Sequence, residues 1–458
     1  MNVPVRTVAS LSAALLIAIL WPVVSLLAQP VTPTATTAPP PYVAPAASAV
    51  LSGTAPLRIL IVSKQAMLAW KGDDEIKVIN PADGTSLYTA PTGEQVGLVR
   101  VPEDASMSLR KASTNFCPLT GAVRLESAKP IQLWASNSNS WTTSAAPLIV
   151  TPVADGSFSV AREMSLEEYV RNVVPAEMPA TFHPQALRAQ AIIARTYALI
   201  ELGRHADEGS DLCAQVHCQA FSPETKRAKA TDDAVSETKG LVLYYGNKLA
   251  EPYYHACCGG GTDDASYVWG PEYARPYLTG SVDLPGKHAD DKVEIKDLLA
   301  QKDPYCKRAS NVRWTRHFFP AEVNALVARN LAKVTGNAAV KITTVSNMTV
   351  EERTPGGRAA SLRIEGDNAS VLVVGDQIRW LFGTGVPGPD GLWSTLFDLT
   401  LTRDETDKIT GYTFTGAGRG HGLGLCQWGA DGRAKAGQSF REIIRAYYPG
   451  TRLSDEKG

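Results

Sequence analysis

The sequence predicts an α+β fold, and three observations carry that prediction. Short β-type runs punctuated by turn residues fill positions 57 to about 160, and two helical patterns follow, at 165–174 and from Pro184. A meander of β-type runs and a glycine-rich ending complete the chain. Segregated strand and helix regions, rather than strict alternation, distinguish α+β from a doubly wound parallel sheet.

The first element is apolar. After Arg6 no charged residue occurs before Arg58, and ALLIAILWPVVSLLA (14–28) reads as a secretory signal with cleavage after Ala28. Extended back to Val8, the run approaches the roughly 20 residues of a spanning helix, so an uncleaved membrane anchor is the alternative. Residues 29–56 are rich in Pro, Ala and Thr without apolar periodicity and read as a linker.

From 57 to 160 the runs LRILIVSK, IKVIN, TSLYTA, EQVGLVRV, IQLWAS, PLIVTPV and SFSVA, separated by turns such as PADG, read as a small all-β region. In SLEEYVRNVV, Ser165 and Glu168 have capping-box spacing, and Pro175 is expected to end that helix. Pro184 opens QALRAQAIIARTYALIEL, which is apolar nearly all round and so predicts a buried helix. Arg188 and Arg195 lie two turns apart on it. A buried charge needs a partner, either a polar substrate or a carboxylate such as Glu163 or Glu167. Downstream, 323–334 reads as a helix, 341–374 as a meander turning at TPGG, LWSTLFDLT as a strand, and SFREIIRAYYPGT as a helix stopped by Pro449. The division is therefore 1–28, 29–56, 57–160 and 161–458, with 284–410 as an inserted helix plus meander.

A net charge of −1 with 20% charged residues gives no basis for capturing nucleic acid or an anionic surface. Membrane contact is expected only through an uncleaved N-terminal segment. Seven cysteines in an exported chain favour disulfides, and the odd number leaves at least one thiol over. RHADEGSDLCAQVHCQAF offers His205, Cys213, His217 and Cys218. Two imidazoles and two thiolates suit a closed, structural tetrahedral zinc, whereas a Cys213–Cys218 disulfide is the mutually exclusive reading.

TGAGRGHGLGLCQWGADG (415–432) has glycine at every second position from 416 to 424. Read as extended chain, this leaves one edge without side chains, so backbone or a flat ligand can approach closely. No glycine triplet here has dinucleotide-binding spacing.

Three stretches together carry a family resemblance. They are VVPAEMPATFHPQALRAQAIIARTYAL, YYHACCGGGTDDASYVWGPEYARPYL, and GRGHGLGLCQWGADGRAKAG followed by YYPGT. In these the chain resembles the stage II sporulation protein D and LytB family of cell-wall proteins over about 57–452, packed as one unit. The resemblance implies a lytic transglycosylase that cuts the MurNAc–GlcNAc β-1,4 bond of peptide-stripped peptidoglycan strands and leaves 1,6-anhydro ends. The alternative it admits is a non-catalytic, glycan-binding enhancer of a cell-wall amidase.

The family motif places a catalytic general acid/base at Glu177, among apolar neighbours that raise a carboxyl pKa. A helix-capping carboxylate is the structural alternative. Intramolecular attack by the sugar's own 6-hydroxyl needs one carboxyl rather than two and no cofactor, although a structural zinc is compatible. Arg188 and Arg195 are assigned to orienting substrate or to indirect pairing. Gln190, Tyr197, Gly420, His421, Gly422, Gln427 and Trp428 are assigned to substrate binding. Glu177, Arg195 and His421 are expected to face one cleft, with His421 within about 15 Å of Glu177. Family texture alone implies a second bridge, Cys257 or Cys258 with Cys306, with Cys117 and Cys426 free or buried.

Overall fold

The computed structural model describes residues 42–101, 107–145, 147–222, 226–288, 291, 293–367, 369–383 and 391–456. The signal or anchor (1–28) and the start of the linker lie outside them. Among the described residues, no helix is long and apolar enough to cross a membrane.

Residues 57–164 form two packed sheets. One has the order Leu212–Cys213, Leu57–Gln65, Phe158–Met164, Leu148–Pro152, Val123–Glu126, Ile76–Ile79, Ser86–Ala90. The other runs Ser140–Ser144, Ile131–Ala135, Leu68–Gly72, Val96–Arg100, Met107–Lys111, Thr114–Leu119. Alternate residues of both point into a shared core with Trp70, Leu98, Leu133, Val150 and Phe158.

This region is not separate from the helices. Strand Leu57–Gln65 pairs antiparallel with Phe158–Met164 and parallel with Leu212–Cys213, bringing Cys213 beside Leu60. Its Leu57, Ile59 and Leu60 join the core of the helical region. Residues 42–56, expected to finish a linker, are instead built in. The Tyr42 hydroxyl donates to Asp211 at 2.9 Å, and a short helix, Ala47–Ser52, buries Val50.

The first long helix is Leu166–Glu177. Ser165 caps it by accepting the Glu168 N–H at 3.2 Å, a contact worth about 1 kcal/mol. The capping box is incomplete, because the Glu168 carboxylate turns outward to Arg227. Pro175 lies inside the final turn, and the helix runs to Glu177, closed by the Met178 N–H on the Val174 carbonyl at 2.9 Å. So close to the end, the lost proline N–H strands a single carbonyl, and the helix survives it.

Helix Pro184–Ile200 starts at its proline, with the His183 ring accepting the Gln185 N–H at 3.3 Å. Thirteen of its residues are buried, including Ile192, Ile193 and Leu199. Each such side chain contributes about 1.5–3 kcal/mol on burial, so packing rather than helix propensity holds this element.

The inserted region has its own core around Trp314, Leu362, Phe382, Phe397 and Phe414. It comprises helix Pro320–Thr335, the meander Asn347–Arg353, Ala359–Gly366, Ala369–Val374, and a sheet ordered Trp314–Phe318, Ile409–Gly416, Phe397–Arg403. The central strand of that sheet ends at Gly416 and delivers the glycine-rich stretch back to the helical core. Helices Gln427–Lys435 and Phe440–Tyr447 follow, and a short strand, Arg452–Leu453, pairs antiparallel with Leu243–Tyr245.

The glycine-rich stretch corrects the expectation of an extended edge. Gly418, Gly420, Gly422 and Gly424 all have positive φ, at 78°, 106°, 81° and 61°. Alternate left-handed residues make a chain that turns repeatedly, and glycine adopts them without steric cost. A Cβ at Gly424 would meet the Tyr253 carbonyl at 2.1 Å, and one at Gly422 would meet the Arg358 guanidinium at 2.3 Å. The bare edge serves protein packing.

Candidate active site

Glu177 is the last residue of its helix, where the negative end of the helix dipole disfavours a carboxylate. Three separate segments meet its carboxyl. The Ala220 N–H donates to Oε1 at 2.8 Å, the Tyr254 hydroxyl donates to Oε1 at 2.9 Å, and Gln427 Nε2 donates to Oε2 at 3.3 Å. Removal from water raises the Glu177 pKa above the ordinary carboxyl range, against the opposing effect of these three donors. The oxygens are unequal. Oε1 takes two short bonds, whereas Oε2 has one long contact from an amide that can rotate. A proton on this acid therefore belongs on Oε2.

A second layer fixes the donors. Gln219 Nε2 donates to the Tyr254 hydroxyl at 3.0 Å, and the Tyr169 hydroxyl donates to Gln219 Oε1 at 3.2 Å. His421 Nε2 bonds the Tyr254 carbonyl at 2.8 Å, while its Nδ1 accepts the Leu423 N–H at 3.1 Å. Burial pulls the His421 pKa down to about 4, so the ring is neutral at physiological pH, with its proton on Nε2. Glu177 and His421 are thus joined through one tyrosine. Trp269 packs on His421 with centroids 4.9 Å apart, and Phe182 packs on Trp428 at 4.6 Å.

Several assigned residues lie elsewhere. The Arg195 side chain is fully buried and makes a two-pronged pair with Glu167, at 2.9 and 2.8 Å, plus a bond to the Leu241 carbonyl at 3.0 Å. Glu167 is ten residues before Glu177, so about 15 Å of helix rise separates them. The arginine's charge is satisfied far from the acid. Arg188 pairs with Glu237. Neither arginine joins the Glu177 cluster, and the ion-pair reading is the one the structure bears out.

Gln190 is wholly buried in its helix, its amide unpartnered among the described residues. Tyr197 accepts from Arg204 at 3.1 Å. Gly420 and Gly422 face His255 and Arg358, and both nitrogens of His421 are spent on backbone, which makes it a positioning residue. Of the assigned binding residues, Gln427 reaches the acid, and half-buried Trp428 follows it directly. Tyr254, Ala220 and Gln219 were not anticipated. A cavity of about 390 Å³ lined by Asp74, Lys77, Arg124 and Glu126 belongs to the β region and includes none of the Glu177 partners.

His205, Cys213, His217 and Cys218 do converge, with one ligand atom from each within 4.8 Å of the others. Cys218 Sγ is 3.5 Å from His205 Nε2, and both thiols are 3.9 Å from His217 Nδ1. Such separations match ligands set tetrahedrally at about 2.0–2.3 Å from zinc. All seven cysteines carry free thiols, so neither the Cys213–Cys218 bridge nor that of Cys257 or Cys258 with Cys306 is formed. The cluster ends two residues before Ala220 and so anchors one of the three donors to Glu177.

Residues 154–245 match the family described as Stage II sporulation protein, and 263–424 match a domain of unknown function, DUF8618. The chain is 30% identical over 331 residues to Stage II sporulation protein D of Bacillus subtilis, covering 69% of this chain and 81% of that protein. It is 30% identical to an uncharacterised protein of Brachyspira hyodysenteriae over 297 residues, 65% of this chain and 68% of the other. To the Amidase enhancer of Bacillus subtilis it is 27% identical over 307 residues, 62% of this chain and 40% of that protein.

Proposed function

The chain belongs to the stage II sporulation protein D family, and from that premise we propose that it is an exported peptidoglycan lytic transglycosylase with Glu177 as its acid and base. The observation that carries the reading is a carboxyl at a helix C-terminus whose pKa is raised by burial while the Ala220 N–H and the Tyr254 hydroxyl orient it through Oε1.

In this chemistry Glu177 Oε2 delivers its proton to the glycosidic oxygen as the C1–O bond breaks. The resulting carboxylate takes the proton from the same sugar's 6-hydroxyl, whose oxygen closes on C1. Proton and charge balance without external water, and intramolecular attack gains from proximity. Ala220 and Tyr254 then stabilise the transient anion through Oε1. Gln427 and Trp428 are the neighbouring side chains for the sugar, one polar and one offering a stacking face. The apolar N-terminal run, with no charge between Arg6 and Arg58, suits export to the cell wall.

The His205, Cys213, His217 and Cys218 set fits a structural zinc by donor chemistry. With four protein ligands it supplies rigidity to the Gln219–Ala220 segment rather than an open catalytic position.

A second reading, favoured by similarity to a protein named Amidase enhancer, is a glycan-binding partner of a cell-wall amidase. Digestion of purified, peptide-free glycan strands separates them, with products read by mass spectrometry. The transglycosylase yields 1,6-anhydro-muramyl ends. Free reducing ends would mean hydrolysis, and no cleavage by folded protein would favour the amidase partner.

A further inference from the structure

Cys257 and Cys258, Cys306, and Cys426 come from three distant stretches of sequence and meet in the interior, each with no exposed surface. The sulfurs of Cys258, Cys306 and Cys426 all lie within 4.8 Å of one another, and those of Cys258 and Cys306 are 3.7 Å apart. Cys257 adjoins Cys258 in the chain but is not one of the three sulfurs that converge. We propose that this cluster is a second structural metal site, taking a thiolate-preferring divalent ion of the zinc class. Cys258, Cys306 and Cys426 are its three protein ligands. The inference does not depend on the catalytic reading of Glu177.

Sulfurs held tetrahedrally about 2.3 Å from zinc are about 3.8 Å apart, close to the Cys258–Cys306 separation. The surroundings are built for sulfur that accepts hydrogen bonds. Cys426 Sγ accepts the N–H of Cys258 and of Gly429, both at 3.1 Å, the latter at the start of helix Gln427–Lys435. Cys258 Sγ accepts the Gly260 N–H at 3.4 Å. Such donors stabilise thiolates and orient metal ligands.

Positive charge is also supplied. Arg313 Nη1 donates to the Gly259 carbonyl at 2.8 Å and Arg358 Nη2 to that of Cys258 at 3.1 Å. The charge of Arg433 is met by Asp283 at 2.8 Å, and Asp283 Oδ2 accepts the S–H of Cys258 at 3.2 Å. Ion binding displaces the thiol protons, so the metal replaces the weak S–H contact of Cys258 with a coordinate bond.

The position gives the site its purpose. Cys258 is four residues after Tyr254, and Cys426 immediately precedes Gln427. Strands Tyr254–His255 and Leu425–Cys426 are already paired in parallel. A metal across them pins two of the three donors to Glu177, as the His205–Cys218 cluster pins the third.

The test is metal content of the full chain purified without chelator. Wild type should carry two zinc ions per chain by elemental mass spectrometry. The double variant Cys213→Ser, Cys218→Ser should keep one, and Cys306→Ser added to it should leave none. A double variant without zinc overturns the proposal. An independent check on wild type needs no variant: alkylation under denaturing, non-reducing conditions should label Cys257, Cys258, Cys306 and Cys426 as free thiols. A peptide carrying a Cys258–Cys306 disulfide would overturn the metal site in favour of a covalent staple.

Discussion

Tyr254 gives its hydroxyl to Glu177 Oε1 at 2.9 Å and its backbone carbonyl to His421 Nε2 at 2.8 Å. One residue thereby ties the glycine-rich stretch to the acid. The histidine, with both nitrogens committed, orients the tyrosine. Burial raises the acid's proton affinity, and the tyrosine is one of the three donors that oppose it.

Glu177→Gln should abolish glycan cleavage without weakening the fold at neutral pH. Folding raises the Glu177 pKa, so between the ordinary carboxyl range and that raised value the folded state binds the proton more tightly than the unfolded chain. Stability is thus lost as pH rises through that window, and above it the burial penalty is fully present. Glutamine keeps an oxygen for the Ala220 N–H and carries no such penalty. Thermal melts at pH 7 should show the variant at least as stable as wild type, the gap closing as pH falls toward 4. Residual cleavage at the wild-type rate would remove Glu177 from the mechanism.

Arg195→Lys should behave as a stability variant. Lysine cannot reproduce the two-pronged contact with Glu167, and it leaves the Leu241 carbonyl short of a donor in a buried setting. A loss of about 2 kcal/mol is expected in denaturant melts, with turnover per folded molecule unchanged. A normal melt with depressed turnover would return the arginine to the cleft.

Much of the frame was legible in the sequence because it obeys local rules. Pro184 at a helix start, the all-round apolar helix behind it, and the TPGG turn each report their own conformation. Strands Thr114–Leu119 and Ser140–Ser144 were not anticipated, because they are sheet-edge strands, mostly exposed, and show no apolar alternation. The site divided on the same line. Glu177, Gln427 and Tyr254 all stand in the stretches that carry the resemblance, but Tyr254 and Ala220 reach the acid only through long-range pairing, which no local pattern encodes. The alternate glycines were visible, but their φ angles were not, and the same spacing fits an extended edge or a run of left-handed turns.

Gly422→Val follows from that correction. At φ 81° a β-branched residue costs about 1–3 kcal/mol in backbone strain alone. Its Cβ would also overlap the buried Arg358 guanidinium, met at 2.3 Å, and push it from the Cys258 and Gly261 carbonyls. The melting temperature should fall by several degrees or the protein should fail to accumulate, whatever the substrate. An unchanged melt with blocked cleavage would mean that Gly422 lines the glycan groove after all.

Tyr254→Phe tests the control of the acid by its donors. A general acid must be protonated in the free enzyme, so kcat/KM should fall on the alkaline side as pH rises through the Glu177 pKa. The tyrosine hydroxyl bonds the carboxylate and lowers that pKa, against the larger raising effect of burial. Phenylalanine deletes the bond, leaves the ring in place and leaves Oε1 with only the Ala220 N–H. The ionised form loses a partner, the pKa rises further, and the alkaline limb should move to higher pH. Below that limb the change in rate should be modest, since the proton on Oε2 is untouched. Gln427→Leu should move the limb in the same direction by less, because its 3.3 Å contact is the longest of the three. Rates for wild type and both variants across pH 5 to 9 on peptide-free strands give the comparison. A limb that stays in place in Tyr254→Phe, or moves to lower pH, would show that another group sets the alkaline side.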